Sequence, residues 1–150
     1  MRPAFFFEAL PAIPLPGFPL IAKAIPAGFP SPADDYAEER IDLNEHLILH
    51  KEATFFVRVQ GNSMTGFGIH DGDLLVVDRS LAARDRNVVI AVVDGDFTIK
   101  QLCRLPEGLL LRSGTDRHSD ILVQEEQTLS IWGVVRWSIH QVPSCPDPLR

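Results

Sequence analysis

The chain has 150 residues, 45% hydrophobic and 23% charged, with 14 basic and 20 acidic side chains and a formal net charge of −6. This is the composition of a globular chain of one-domain length, able to bury roughly 70% of its unfolded surface without disulfides or metal. The acidic balance excludes broad binding to a phosphate backbone, which needs a basic face, but not binding to a protein that itself sits on DNA.

Eight of the 12 prolines fall within residues 1–32. They predict an extended arm of irregular or polyproline-like structure, with enough Phe and Leu to dock on something. The 14 uncharged residues between Glu8 and Lys23 fall short of the roughly 20 that a membrane-spanning helix needs. Pro11, Pro14, Pro16 and Pro19 would also break the helix that a secretory signal usually forms. A cytoplasmic protein with no membrane segment is therefore expected. Cys103 and Cys145, the latter in a Pro-rich tail, read as reduced thiols, which fits that compartment.

Beyond the arm, Ile41, Leu43, Leu47 and Ile48 are the apolar positions of an amphipathic stretch, predicting a helical turn over Leu43–His50. The rest reads as strands: Thr54–Gln60, Leu74–Asp78, Asn87–Val93, Phe97–Cys103, Leu109–Arg112, Ile121–Val123 and Leu129–Ile139. Asp94-Gly95, between two of these runs, predicts a tight hairpin whose central residues both take positive φ. The expected fold is mostly β, with curled antiparallel sheets and little helix. Its organisation is an arm over 1–27, a linker over 28–40, a β-rich domain over 41–140 and a tail over 141–150. Trp132, Val134, Val135 and Trp137 in the last long strand are expected to be core for at least half of them, the remainder serving a dimer surface.

Gly61-Asn62-Ser63-Met64 places a serine in a turn at the end of a strand. A serine hydroxyl is a weak nucleophile until a base takes its proton. His46, His50, His70, His118 and His140 are scattered and suggest no Ser/His/Asp set. The other available base is a lysine made neutral by apolar burial. Alternation puts Thr98, Lys100 and Leu102 on one strand face and Phe97, Ile99 and Gln101 on the other, so Lys100 stands mid-strand among Ile99, Leu102 and Val92. The intervening strands are long enough to fold back and bring it beside Ser63.

Gly61–Met64, Asp71–Asp78 and Val89–Lys100 together resemble the LexA/UmuD-type self-cleaving serine peptidases, and Gly28–Tyr36 with Arg40–Asn44 is similar to the UmuD branch of that family. The resemblance covers about residues 18–139. It implies a Ser–Lys dyad with Ser63 as nucleophile, Lys100 as general base and backbone N–H groups of Asn62 and Ser63 as oxyanion hole. It implies that the arm is the substrate, cut at Ala27–Gly28, where the branch has Cys-Gly and LexA-type repressors have Ala-Gly. Tethering would let a weakly activated site suffice. The implied partners are a RecA–single-stranded-DNA filament that stimulates cleavage, a second copy of the chain, and a UmuC-type Y-family polymerase that the shortened homodimer joins in the SOS response. Phe18-Pro19-Leu20 matches part of an arm segment linked in that branch to the replicative sliding clamp; covering a dimer surface is an equal reading.

Other readings fit less well. The serine turn lacks the second glycine of a G-x-S-x-G elbow, and no strand–helix alternation surrounds it. His46 and His50 have zinc-like spacing but not the H-E-x-x-H order, and Asp71-Gly72-Asp73 and Asp94-Gly95-Asp96 read as turns rather than calcium loops. Neither metal nor cofactor is expected. Signal peptidases share the chemistry but need a membrane anchor. The proline-broken arm cannot form a helix-turn-helix, which disfavours sequence-specific DNA binding. The alternatives kept open are a non-catalytic polymerase-binding module and a LexA-like regulator of the DNA-damage response.

Overall fold

The computed structural model describes residues 17–30, 32, 38–115 and 120–143, and the chain divides into two compact units with their boundary between His46 and Leu47. That boundary lies later than the expected one at 40/41. The early arm, Asp34–Tyr36, His118 and the tail with Cys145 lie outside the described residues.

In the first unit, strand β1 (Phe18–Ile21) pairs antiparallel with β2 (Glu38–Ile41), Phe18 opposite Ile41 and Ile21 opposite Glu38. The arm is thus not wholly irregular, and the expected linker ends in a strand. Pro19 is tolerated because each strand of a two-stranded sheet has a free edge towards which a missing N–H can point. Gly17, at φ +86°, enters this sheet so closely that a Cβ would lie 2.4 Å from the Ile41 carbonyl oxygen. The Arg40 guanidinium donates to the Gly17 carbonyl at 2.8 Å. Helix α1 is shorter than expected, Leu43–Leu47, with the Asp42 carboxylate accepting the Asn44 N–H at 2.9 Å. The remainder of the expected helical stretch gives way to a 3-10 turn at Lys51–Ala53.

The second unit is one seven-stranded antiparallel sheet in the order β3 (Thr54–Arg58), β4 (Leu74–Asp78), β9 (Leu129–Ile139), β5 (Val88–Val93), β6 (Asp96–Leu105), β7 (Gly108–Arg112) and β8 (Ile121–Leu122). The hairpin forms where predicted, with Asp94 at φ 48° and Gly95 at φ 90°. Central strand β5 is buried on both faces. Ile90 packs with Val59, Met64, Leu75 and Val77, whereas Val89 and Ala91 pack with Leu102, Leu111 and Val134 on the other side. This explains its unbroken apolar run, each such side chain contributing about 1.5–3 kcal/mol on full burial.

Two bulges bend β9. Ile90 faces Gly133 while Ala91 faces Ile131, leaving Trp132 as the extra residue; Val76 faces Trp137 while Val77 faces Val135, leaving Arg136. Such insertions kink and over-twist a strand, which curls the sheet. Val134 is buried, Trp132 and Val135 pack against the core, and Trp137 is partly exposed. Core therefore claims three of the four side chains singled out in this strand.

Candidate functional site

Ser63 follows β3 in a turn that is held from several directions. The Gly61 N–H donates to the Asp71 carboxylate at 2.7 Å, and Gly72 N–H donates to the Val59 carbonyl at 2.9 Å. On the far side, Met64 is buried and its carbonyl accepts from Phe67 and Ile69, opening a 3-10 turn over Thr65–Phe67. The Ser63 carbonyl accepts three bonds from one loop: the Gly114 N–H at 2.7 Å, the Ser113 hydroxyl at 2.8 Å and the Thr115 hydroxyl at 3.3 Å. The two segments touch so closely that a Cβ on Gly66 would sit 1.8 Å from the Gly114 carbonyl oxygen.

Ser63 borders a cavity of about 510 Å³ whose apolar lining includes Val57, Met64, Ile90, Phe97, Ile99 and Trp132. The bulge at Trp132 accounts for part of that wall. Its indole meets Phe55 at 5.3 Å and Phe97 at 6.1 Å between ring centres, both edge-on, with the Arg79 guanidinium 4.5 Å over it.

Lys100 lies in the middle of β6, opposite Val89 of β5, and only 7% of it is exposed. The expected parity holds, since Leu102 is buried on the same face and Ile99 packs with the opposite cluster. Burial pushes its amine below the usual lysine value, while the negative charge of Asp120 pulls the other way. Its Nζ donates to the Ile99 carbonyl at 3.2 Å. Among the described residues it makes no hydrogen bond to the Ser63 hydroxyl.

Sequence reasoning missed Ser113, which follows the last β6–β7 pair, Gln101 with Arg112. Ser113 is buried, its hydroxyl holds Ser63 and its N–H donates to Asp120 at 2.7 Å. Ser-Gly-Thr after a strand reads as an ordinary turn, and no local signal marks it otherwise. Asn62 accepts at its carbonyl from Thr65 N–H at 3.4 Å, which fixes the peptide on the other side of the turn. Ala27 and Gly28 are exposed and belong to the first unit.

The structure also corrects the reading of the histidines as scattered. His70 and His140 stack 4.6 Å apart beside Asp73, and His50 bonds Asp78 at 2.6 Å.

The described site is thus a strand-end serine over an apolar cavity, with a buried lysine on another strand of the same sheet. Comparison with known proteins gives its class. The Peptidase S24-like model matches residues 19–136. Protein MucA of Salmonella typhimurium is 39% identical over 139 residues, covering 93% of this chain and 95% of MucA. Protein SamA of Salmonella typhimurium is 46% identical over 126 residues, 84% of this chain and 87% of SamA. The LexA repressor of Vibrio atlanticus is 40% identical over 119 residues, which is 79% of this chain but 57% of the repressor. The chain belongs to the Peptidase S24-like family, a serine peptidase family, and the LexA/UmuD-type resemblance is borne out. No described helix is long and apolar enough to cross a membrane.

Proposed function

We propose that the chain is a self-cleaving serine peptidase of the UmuD type, in which Ser63 attacks the Ala27–Gly28 bond and Lys100 removes its proton. The observation that supports this reading is a serine at the mouth of an apolar cavity, in a turn held by the 113–115 loop, in a chain that also buries the amine-bearing Lys100 mid-strand. Rotation about the lysine side chain exchanges that carbonyl for the serine hydroxyl once substrate docks; catalytic hydrogen bonds are often looser before binding. The neutral amine takes the serine proton, the alkoxide adds to the Ala27 carbonyl, and Asn62 and Ser63 N–H groups receive the oxyanion. The ammonium then protonates the leaving Gly28 nitrogen, and water releases the acyl fragment.

The similarity to MucA and SamA supports placing this cleavage in SOS mutagenesis. A RecA–single-stranded-DNA filament stimulates it, and residues 28–150 form a cytoplasmic homodimer that serves a UmuC-type polymerase, with Phe18–Leu20 of the arm either a sliding-clamp contact or a cover for the dimer surface. Intact-mass analysis of protein held at alkaline pH, with and without an activated RecA filament, tests the reading. A fragment starting at Gly28 in the wild type, absent in Ser63→Ala and Lys100→Ala, is expected. An intact wild-type chain under both conditions would leave a non-catalytic polymerase-binding module in its place.

A further inference from the structure

At one end of the β4–β9 pair, where Leu74 faces Ile139, the residues just beyond the ladder are Asp73 and His140. His70, three residues before Asp73 in the same turn, completes a group in which one ligand atom from each side chain lies within 4.8 Å of the others. Asp73 is 2% exposed. One of its oxygens accepts from His140 Nδ1 at 2.6 Å; the other accepts from the His70 backbone N–H at 2.8 Å and the Ser138 hydroxyl at 2.9 Å. These bonds account for Asp73 and His140 but not for His70. Its Nδ1 is out of solvent, 3.7 Å from Asp73 Oδ2, and has no hydrogen-bond partner among the described residues.

A ring nitrogen out of solvent, 3.7 Å from a carboxylate oxygen and beside a second imidazole, is a donor that a shared metal ion would satisfy. We propose that His70, Asp73 and His140 bind a zinc ion. Two imidazole nitrogens and one carboxylate oxygen would supply three of the four ligands of a borderline divalent metal, with water as the fourth; calcium and magnesium would want an all-oxygen shell. Ligand atoms around tetrahedral zinc stand roughly 3.3 Å apart, so the set must contract. His70, on a turn and nearly half exposed, has room to rotate inward. Binding through His140 Nδ1 requires that this nitrogen carry no hydrogen, so the proton now between it and Asp73 moves to Nε2 or is released to solvent. The ion would tie the 70–73 turn, whose Asp71 holds Gly61 in front of Ser63, to the end of β9.

The test uses the tag-free full-length chain, stripped of metal by chelator and dialysed. Zn²⁺ is titrated by calorimetry and Co²⁺ by visible absorption. One equivalent per chain, ligand-field bands with Co²⁺ and a higher thermal midpoint with Zn²⁺ are expected. His70→Ala and His140→Gln, checked for fold by circular dichroism, should each bind at least about tenfold more weakly, while His46→Ala binds as wild type. Should His140→Gln fail to fold, His70→Ala and His70→Asn decide. Absence of stoichiometric binding by the wild type, or undiminished binding in His70→Ala, overturns the proposal.

Discussion

The chemistry proposed for Lys100 rests on where β6 puts it. A buried amine with a lowered pKa is neutral in a larger fraction of molecules at a given pH than a free lysine, and only the neutral form can accept a proton. Self-cleavage should therefore speed up as pH rises through that lowered value and level off beyond it. Asp120 opposes the shift through its charge, so Asp120→Asn should move the rate–pH profile towards acid while the amide oxygen still accepts the Ser113 N–H. A profile that stays put in this variant would argue against Lys100 as the base. The same lowered value means that the unfolded chain binds more protons than the folded one, so this residue's contribution to stability improves with pH up to the ordinary lysine value.

Asp78 behaves in the opposite sense. Burial raises its pKa, but this is outweighed by bonds from the Ser80 hydroxyl, from His50 and from the Ser80 N–H, and the carboxyl falls from 3.8 to about 2. A depressed carboxylate stabilises the fold fully above its unfolded pKa and loses that contribution as pH falls through the folded one. The stability difference between wild type and Asp78→Asn, followed by urea unfolding, should shrink as pH falls between about pH 4 and 2.

Among the elements, the contact between the Ser63 turn and the 113–115 loop carries the most risk. Gly66→Ala puts a methyl where the Gly114 carbonyl stands, and backbone cannot rotate away as a side chain would. Overpacking of this kind costs about 1–3 kcal/mol or more. Here it also pushes away the loop that holds Ser63, so thermal melts should fall by several degrees and cleavage should be lost even where the variant folds.

The strands themselves were largely legible in sequence. Leu74–Asp78 and Leu129–Ile139 have the bounds their β-branched and aromatic runs predict, and Asp94-Gly95 makes the expected hairpin. The bulges at Trp132 and Arg136 were not, because an extra residue leaves the apolar run unbroken and is defined only against its partner strand. Nor was β1, since Pro19 and its proline neighbours speak against a strand everywhere except at an edge. For the site, a strand-end serine and a lysine among apolar neighbours could be read from local pattern. Ser113, Asp120 and the meeting of His70 with His140 could not, because each depends on long-range register.

On the scale of the whole molecule, the chain consists of a small unit built on β1 and β2 and a larger one that contains the cavity, Ser63 and Lys100. The Ala27–Gly28 bond lies in the connection between β1 and β2. While that connection is whole, β1 is presented to β2 at the high local concentration of a tethered segment. Cutting it would turn a hairpin into a complex of two chains whose described contacts include four residue pairs and the Arg40 bond to Gly17. A two-stranded ladder of this length is marginal even when covalently joined. Size-exclusion chromatography of fully processed protein should therefore separate fragment 1–27 from 28–150 at micromolar concentration; co-elution would mean that the arm is held by more than this ladder.

Processing on this view does more than shorten the chain. Departure of β1 strips Glu38–Ile41 of its described neighbour and leaves a row of backbone donors and acceptors newly bare at the front of the processed protein. An open edge of that kind recruits another strand readily. Under the proposed cleavage the arm would act as a temporary sheath, and the cut would change what Glu38–Ile41 can adhere to as well as how long the chain is.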